Sequence, residues 1–556
     1  MPRAGGGVGA IDVRLSSGAR QHVTQAQLAG LPPAGRADRF GESLAFIRAD
    51  RDYCTALAIG VPGADGGRGA VVIAKGSTSG VAAAGAVRIT GSTPGEGFGF
   101  RMAAVGTDLF VAAPGHSVSG RPRAGAIDHY RVGADGVPVL LETVTESTSG
   151  VPGVAEQDDR FGEVLEAVGT GDTWVDESQS HVGHIGLVVG EPSEDAGSRR
   201  DAGSVTVLSF STSTHRLSLA RSLSQDMSGV GGVGEAGDRF GASVSFDMTG
   251  GVGFLAVGVP GEDIGSAADA GMVQVFTGVT GTTLRQAQSL TQGSPHVPGG
   301  IEPGDRFGAS VAVGRFADCV AGTNLDIAVG APGEALGSRR DAGTVTLLPL
   351  GATGTYAAPC RHAWYQGSGG LGGTAEAGDQ LGTTLAASTD PDMYLEDEPQ
   401  WSRRLVGVPG EDVGTLQDVG GVHELAVSGK VLVDTFGDSA GRAAGARYGS
   451  VFARRPDVAL RTAAAALAFC DRTDACYARA RAGPSERASV TALTMIPMTL
   501  PTAPTASTQR TTTSHGSPSL SKAKGKACQN RTSAASPTLV TRISPAARNH
   551  RASTSA

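Results

Sequence analysis

Short runs of alternating apolar and polar residues recur along the first 460 residues, separated by clusters of glycine, proline and acidic residues. Residues 201–207 read Asp-Ala-Gly-Ser-Val-Thr-Val, and residues 341–347 read Asp-Ala-Gly-Thr-Val-Thr-Leu. Alternation with a period of two residues is typical of a β-strand and not of a helix. The pattern therefore predicts many short strands joined by tight turns.

The first half of a repeated unit is an Asp-Arg-Phe-Gly motif that leads into an apolar strand. Complete copies begin at Asp38, Asp159, Asp238 and Asp305, and weaker copies occupy residues 97–99, 379–382 and 447–449. Successive copies lie 58 to 79 residues apart, which is room for four short strands and their loops. The five Phe-Gly pairs are Phe40 and Gly41, Phe98 and Gly99, Phe161 and Gly162, Phe240 and Gly241, and Phe307 and Gly308.

The second half of the unit is an apolar strand that ends in a Gly-x-Pro-Gly turn or a variant of it, followed by acidic residues and another strand. Proline fixes φ and glycine accepts positive φ, so we expect the Pro-Gly pair to turn the chain. We expect the phenylalanine to fill the gap between neighbouring sheets, and the glycine after it to allow a close backbone approach. The prolines of these turns are Pro62, Pro114, Pro192, Pro260, Pro332 and Pro409.

A four-stranded antiparallel sheet that is repeated radially is the blade of a β-propeller. Residues 9–13 match residues 125–129, a third strand, whereas residues 447–452 and 457–460 read as the first two strands of a blade. Six complete blades and these two halves predict an all-β, seven-bladed propeller of four-stranded blades over residues 1–460. We expect the N-terminal strands to close the last blade, which removes free sheet edges.

The combination of Phe-Gly with Gly-Ala-Pro, which residues 330–332 spell out, resembles the FG-GAP repeat of integrin α propellers and of many bacterial extracellular proteins. The resemblance spans residues 1–460, and six or seven copies in phase make it specific. It implies an extracellular or cell-surface protein with a role in binding or adhesion. It also implies calcium in an Asp-x-Asp-x-Asp-Gly loop between the first two strands of a blade. That loop is absent here, and the acid-rich insert at residues 390–398 is the remaining place for a weak site.

Charge divides the chain into two parts. Residues 454–556 contain 15 basic and 4 acidic residues, net +11, which leaves 31 basic and 50 acidic residues before them, net −19. Nucleic acid is held mainly by Lys and Arg contacts to phosphate, so the acidic part is a poor candidate for binding it. Cations or basic surfaces are the better partners. No run of 18 apolar residues is present, so we expect no membrane span, and we expect a monomer.

The repeat stops near residue 460, and residues 461–556 are dominated by Ala, Ser, Thr, Pro and Arg. Such a segment lacks the apolar residues for a core, so we expect low-complexity disorder. Its abrupt onset inside a blade is equally consistent with a shifted reading frame. We therefore place the domain boundary at 460, between the propeller and this basic tail.

Acidic residues cluster in two kinds of loop. Strands of a blade alternate in direction, so the turn after the second strand and the loop that enters the next blade emerge on one face. These acids form a surface for a cation or for a protein or glycan ligand, or else they cap turns, which short acidic side chains do well. The candidates for metal ligands are Glu262, Asp263, Asp269, Glu411, Asp412 and Asp418. The entering loops contribute Glu156, Asp158, Asp159, Glu235, Asp238, Glu302, Asp305, Glu376 and Asp379.

Signals for catalysis are weak. Residues 115–119 resemble a serine-hydrolase elbow, but Ser119 stands where that motif needs glycine, and alignment with the other repeats puts His116 and Ser117 in a plain turn. His181 and His184 have no third ligand nearby for zinc. We therefore expect no catalytic residue, no certain cofactor and no enzyme.

Two functions remain open at this point, beside a structural role in a cell envelope. The first is a non-catalytic extracellular binding or adhesion module that resembles integrin α propellers. The second is an accessory propeller of a secreted hydrolase, because propellers similar to this one occur in glycosylphosphatidylinositol-specific phospholipase D. A fold alone does not choose between them, since propellers host unrelated activities.

Overall fold

The structure is a computed structural model that describes residues 9–437 with gaps and, beyond them, the strand segments 452–453, 469–470, 476–477 and 538–542. The gaps are residues 15–19, 29–31, 33–34, 36, 49–54, 78–79, 134, 171–174, 177–178, 181–183, 212–213, 250–251, 280–283, 315, 317–324, 352, 357–361, 369–370, 390–401, 413–414, 416, 418–419 and 428–430. The acid-rich insert, Asp418 and most of the basic tail thus lie outside the described residues.

The chain divides into two compact units, Met1–Ala459 together with Asn530–Ala556, and Leu460–Gln529. In the second unit the described residues form one short hairpin, in which Phe469–Cys470 pairs with Cys476–Tyr477. The first unit contains the repeats.

The first unit contains six four-stranded blades, each built from one continuous stretch of chain. Blade 1 consists of Leu44–Arg48, Thr55–Val61, Ala70–Ser77 and Val87–Thr90, with Gly80–Val81 also paired to its third strand; blade 2 of Met102–Val105, Asp108–Ala113, Ala126–Val132 and Pro138–Val144; blade 3 of Val164–Thr170, His184–Glu191, Ser204–Ser211 and Leu217–Leu223. Blade 4 consists of Ser243–Thr249, Val252–Val259, Met272–Thr277 and Arg285–Leu290; blade 5 of Ser310–Gly314, Leu325–Ala331, Thr344–Leu350 and His362–Trp364; blade 6 of Leu385–Thr389, Ser402–Val408, Gly421–Val427 and Val431–Gly437.

Every blade is antiparallel, and its strands lie side by side in chain order. In blade 4, for example, Val257 faces Val244 on one side and Gln274 on the other. The first strands of successive blades contact one another in turn, which places them innermost in a radial array. The predicted β-propeller with four-stranded antiparallel blades is therefore confirmed.

The number of blades differs from the prediction, since among the described residues six blades are each built from one continuous stretch of chain, and not seven. The stretch after blade 6 provides only one short described strand, Phe452–Ala453, and the expected second strand at residues 457–460 lies outside the described residues. A complete seventh blade from that stretch would need the second strand as well.

The N-terminal strands enter a sheet assembled from three separate parts of the chain. Ala10–Arg14 pairs with Arg20–Val23 on one side and with Thr538–Arg542 on the other. Thr538–Arg542 also pairs with Phe452–Ala453, which contacts the first strands of blades 1 and 6. A strand from the basic tail thus lies between the N-terminal strands and Phe452–Ala453. We had expected the N-terminal strands to pair directly with the strands that follow blade 6.

Two helical segments occur among the described residues, the 3-10 turn Gln25–Gln27 and the short segment Ala64–Gly67. None of the described helices is long and apolar enough to cross a membrane. A small hairpin, Val175–Asp176 with Gln179–Ser180, lies between the first two strands of blade 3. Strands therefore provide nearly all of the regular structure.

The hydrophobic core is divided among the gaps between neighbouring blades. Phe307 is fully buried and belongs to a cluster with Phe254 and Val275 of blade 4 and Ile327 of blade 5. Equivalent clusters join each of the other pairs of successive blades. Burying a phenylalanine side chain contributes about 1.5–3 kcal/mol. The expected role of the motif phenylalanines is confirmed, and the buried members are Phe40, Phe98, Phe161, Phe240 and Phe307.

The motif glycines allow two backbones to approach closely where blades meet. Gly308 has φ +91°, and a β-carbon on Gly258 of blade 4 would lie 2.0 Å from the carbonyl oxygen of Gly308. The hydroxyl of Ser243 donates to the same carbonyl at 2.8 Å. The same approach joins Gly60 to Gly99, Gly190 to Gly241 and Gly330 to Gly382.

The Pro-Gly turns need glycine for a different reason from the one expected. Gly63 has φ −87°, and the glycine of the turn in blade 4, Gly261, is not in the positive-φ region. A β-carbon on Gly261 would lie 2.0 Å from the carbonyl oxygen of Gly237. Glycine is therefore required there because a β-carbon would collide with the entering loop, and not because of the backbone conformation.

We expect the substitution Gly258→Ala to destabilise the propeller by about 1–3 kcal/mol or more, because its β-carbon would collide with a backbone atom that cannot turn aside. Urea unfolding followed by circular dichroism measures the change. The control is Gly300→Ala, since Gly300 has ordinary φ and open space around its missing β-carbon. Equal unfolding midpoints for the two variants would contradict the proposed role of the contact.

Candidate functional site

The Pro-Gly turns lie on the loops that enter the same blades, and together they form what we call the loop face. The amide of Gly261 donates to the carbonyl of Asp238 at 3.0 Å, and the amide of Gly333 donates to that of Asp305 at 3.1 Å. The two kinds of acidic loop thus meet on one face.

The aspartate of each Asp-Arg-Phe-Gly motif caps the entering loop. A carboxylate oxygen of Asp305 accepts a hydrogen bond from the amide of Glu302 at 2.7 Å, and Asp238 accepts one from Glu235 at 2.5 Å. Side chains that are bonded in this way serve the turn and are removed from solvent. The same bond forms at Asp38, Glu96, Asp159 and Asp379.

The glutamate after the Pro-Gly turn is paired with a glutamine from the preceding blade. Gln225 Nε2 donates to Glu262 Oε2 at 2.6 Å, and Glu262 is only 8% exposed. Gln292 donates to Glu334, and Gln366 to Glu411, in the same way. Glu262 and Glu411, two of the candidate metal ligands, are therefore held inside the junctions between blades.

Burial raises the pKa of these carboxyl groups. Loss of solvent, reinforced by nearby carboxylates, raises the pKa of Asp238 to about 6 and that of Glu262 to about 7. The hydrogen bond from Gln225 opposes the shift at Glu262. The same cause raises the pKa of Glu334 to about 7 and that of Glu411 in the same direction.

The remaining metal candidates serve the turn or lie apart. Asp263 is exposed, and its Oδ1 accepts a hydrogen bond from the amide of Asp269 at 2.9 Å. Asp412 is half-buried, and Asp418 lies outside the described residues. None of the five described candidates belongs to a group of three carboxylates close enough to share an ion. The structure does not bring the predicted ligands together.

At the entrance to blade 2, a histidine replaces the buried glutamate. His116 Nδ1 lies 3.1 Å from Glu96 Oε1. Burial would raise the pKa of Glu96, but hydrogen bonds with His116, Thr93 and Ser92 outweigh it and hold the pKa at about 2. The bond to Glu96 raises the pKa of His116. This histidine is the one in the elbow-like residues 115–119, and it stands in a turn as an ion-pair partner.

At the entrance to blade 3, three glutamates converge. One carboxylate oxygen from each of Glu146, Glu191 and Glu194 lies within 4.8 Å of the other two. Burial raises the pKa of all three groups, that of Glu194 to about 8. Within the part of the chain that the structure describes, these are the residues that could hold a metal ion.

A second set of acids remains exposed to solvent at equivalent positions of four entering loops. Each residue lies five positions before the motif Phe or Leu, is exposed, and has its amide tied to the capping aspartate. The four residues are Glu156, Glu235, Glu302 and Glu376. Four like charges are thereby fixed on successive loops.

Exposed apolar side chains accompany these glutamates. Val154 is 62% exposed and Val233 is 66% exposed, each two residues before an exposed glutamate, and Ile301 is exposed beside Glu302. The sequence analysis missed them, although Val154 and Val233 both stand seven residues before the motif phenylalanine. A mixture of apolar and charged groups is typical of a surface that contacts another protein.

The loop face also has a local basic cluster in blades 1 to 3. Three guanidinium groups surround the ring of Phe100, with Arg101 at 4.6 Å and Arg39 and Arg160 at 5.9 Å from its centroid. Cations are attracted to the face of an aromatic ring. Glu42 lies within 4.0 Å of Arg39 and Arg101, and Glu163 lies 3.5 Å from Arg160, so this cluster carries charges of both signs.

No known protein family matches the chain, and no curated protein matches it. Among solved structures, it is similar to an arginine-to-alanine triple mutant of AofleA from Arthrobotrys oligospora, with 10% sequence identity and a TM-score of 0.30. The similarity covers 63% of this chain and 77% of that one. At this level of likeness, nothing about the site follows from it.

We expect Glu262→Gln to be more stable than the wild type at high pH. A carboxyl group whose pKa is raised by folding destabilises the native state as pH rises from its unfolded value, about 4.3, to its folded value. With a folded pKa of about 7, the advantage of glutamine should appear between these values and reach about 1–3 kcal/mol above them.

Urea unfolding at a series of pH values measures this difference. The control is Glu302→Gln, because Glu302 is exposed and its replacement removes a charge without relieving burial. The free energies of unfolding of Glu262→Gln and the wild type are compared across the pH series. If their difference is the same at low and high pH, the assignment of Glu262 as a buried acid with a raised pKa is wrong.

Proposed function

We propose that this protein is a non-catalytic binding module whose loop face docks on a basic protein surface. The proposal depends on one observation, the four exposed glutamates at equivalent positions of successive entering loops. Their side chains neither cap a turn nor pair inside a junction. Because their side chains do not hold the turns or the junctions, turn chemistry does not explain why these glutamates are there.

The surroundings of the glutamates favour a protein partner. Val154, Val233 and Ile301 add exposed apolar surface beside the charges. Specific interfaces combine a desolvated apolar centre with a polar rim. Glycan ligands offer little charge to match four carboxylates, whereas a basic protein surface complements both the charge and the apolar groups.

The charge of the chain supports the same partner. Residues 1–453 carry a net charge of −19. A field of one sign steers an oppositely charged partner and raises its association rate, with an effect that falls as salt is added. Binding through the loop face should therefore be fast and sensitive to salt.

The resemblance of the repeats to FG-GAP propellers supports an extracellular or cell-surface setting and a role in adhesion. In this proposal the propeller acts through its surface, and the described polar residues of the motifs serve mainly to hold the blades and loops in place. It requires no cofactor for the docking itself.

We expect the fourfold variant Glu156→Gln, Glu235→Gln, Glu302→Gln and Glu376→Gln to fold with little change in stability, because these side chains are exposed. Binding to lysine- and arginine-rich probe peptides, measured by biolayer interferometry, should fall by about tenfold or more, mainly through a slower association rate.

Asp135→Asn is the control, since Asp135 is an exposed acid in a turn at the opposite end of blade 2. It should leave binding unchanged. If the fourfold variant binds the basic peptides as the wild type does, or if the wild type prefers acidic peptides, the docking face is assigned wrongly.

A further inference from the structure

The three glutamates at the entrance to blade 3 depart from the pattern of the later blades at two positions. The first departure is Glu146, which stands 15 residues before Phe161, where Gln225 stands 15 residues before Phe240. Gln225 donates its amide hydrogen to Glu262. A glutamate in that place removes the donor and adds a carboxylate opposite Glu194.

The second departure is Glu191, which directly precedes Pro192. The residue before the turn proline is valine or alanine in the other five blades, at Val61, Ala113, Val259, Ala331 and Val408. Glu191 is 1% exposed. Its Oε2 accepts a hydrogen bond from the hydroxyl of Ser204 at 3.1 Å. A second carboxylate is thus added to the same junction, at a site built for an apolar side chain.

Three buried carboxylate oxygens in this junction have no hydrogen-bond partner within the protein. They are Oε2 of Glu146, Oε1 of Glu191 and Oε2 of Glu194. No ion pair of the described residues reaches any of the three groups from Lys, Arg or His. An isolated buried carboxylate is strongly unfavourable, so the group must bind protons or a cation.

We propose that Glu146, Glu191 and Glu194 bind a hard divalent cation of the class of Ca²⁺, Mg²⁺ and Mn²⁺ between blades 2 and 3. Carboxylate oxygens are the preferred protein ligands of these ions. The group contains no sulfur or imidazole, which would favour zinc. Asp159, which is 2% exposed, adjoins Glu146 and adds a further oxygen-bearing group.

The position of the site explains how an ion enters and what it does. Glu194 is only half-buried and lies in the turn on the loop face, so the site opens toward solvent on its side. Glu146 follows the outer strand of blade 2, whereas Glu191 ends the second strand of blade 3. A shared cation therefore links two blades. This place differs from the loop between the first and second strands, where the FG-GAP resemblance puts calcium.

Isothermal titration of the chelator-treated full chain with CaCl₂, MgCl₂ and MnCl₂ in turn tests the site. We expect one ion to bind per chain for at least one of the three salts. Binding should release protons, because the carboxyl groups hold protons in the absence of an ion. Titrations in two buffers with different ionisation enthalpies detect that release, and thermal unfolding with and without chelator should show stabilisation by the same ion.

Glu146→Gln restores the glutamine that blades 4, 5 and 6 carry, and Glu191→Val restores the residue of blade 4, so both variants are expected to fold. Each should weaken binding of the ion by about tenfold or more. Glu334→Gln, in a junction where the glutamate is paired with its glutamine, is the matched control and should bind as the wild type does. The proposal is overturned if no ion binds the wild type at millimolar concentration, or if either variant keeps wild-type affinity.

Discussion

Neighbouring blades meet through a backbone contact that has no room for a β-carbon. Gly258 of blade 4 lies against the carbonyl of Gly308, and the side chain of Phe307 fills the gap beside them. A glycine makes the same contact at three further junctions, whereas Ala112 stands in its place between blades 2 and 3. Where the contact recurs, it fixes the angle and register of one blade against the next. Residues at equivalent sequence positions must then occupy equivalent places around the propeller. The regular spacing of charges on the loop face is a consequence of that contact.

The same geometry creates one electrostatic problem at each junction. The Pro-Gly turn packs on the entering loop, so the capping acid and the residue after the turn are buried together. Blades 4, 5 and 6 place a glutamine donor against the glutamate, as Gln225 does with Glu262. Blade 2 uses an ion pair between His116 and Glu96. Blade 3 has three carboxylates and no such partner, which makes its junction the exception that a bound cation resolves.

The sequence was sufficient for the architecture of a blade but not for separating the acids by role. Asp-Arg-Phe-Gly and the turn prolines predicted four-stranded blades, because residue spacing and strand periodicity are local properties. Glu262 and Glu235 look alike in sequence, yet one is buried and the other exposed, since that difference depends on which loop packs on which. The donor Gln225 lies 37 residues before Glu262 and carried no signal of its own.

Two further expectations failed for physical reasons of the same kind. The glycines of the Pro-Gly turns were explained by positive φ, but the requirement comes from a contact with the entering loop that no local pattern reveals. Seven blades were expected because strand patterns were counted at both ends of the chain. Pairing between distant segments determines the sheets there, and a strand from residues 538–542 takes part. Periodicity finds strands, whereas long-range pairing determines how they associate.

The buried acids of the loop face respond to pH, and this bears on the stability of the scaffold. Burial raises the pKa of Asp238 to about 6, and the carboxylate of Asp238 holds the amide of Glu235. As pH falls toward 5, Asp238 gains a proton but keeps a carbonyl oxygen that accepts the amide, so the loop retains its cap. Burial of the protonated Asp238 is less unfavourable than burial of its carboxylate, so the free energy of unfolding rises. Mildly acidic solution should therefore strengthen the scaffold that carries the docking face.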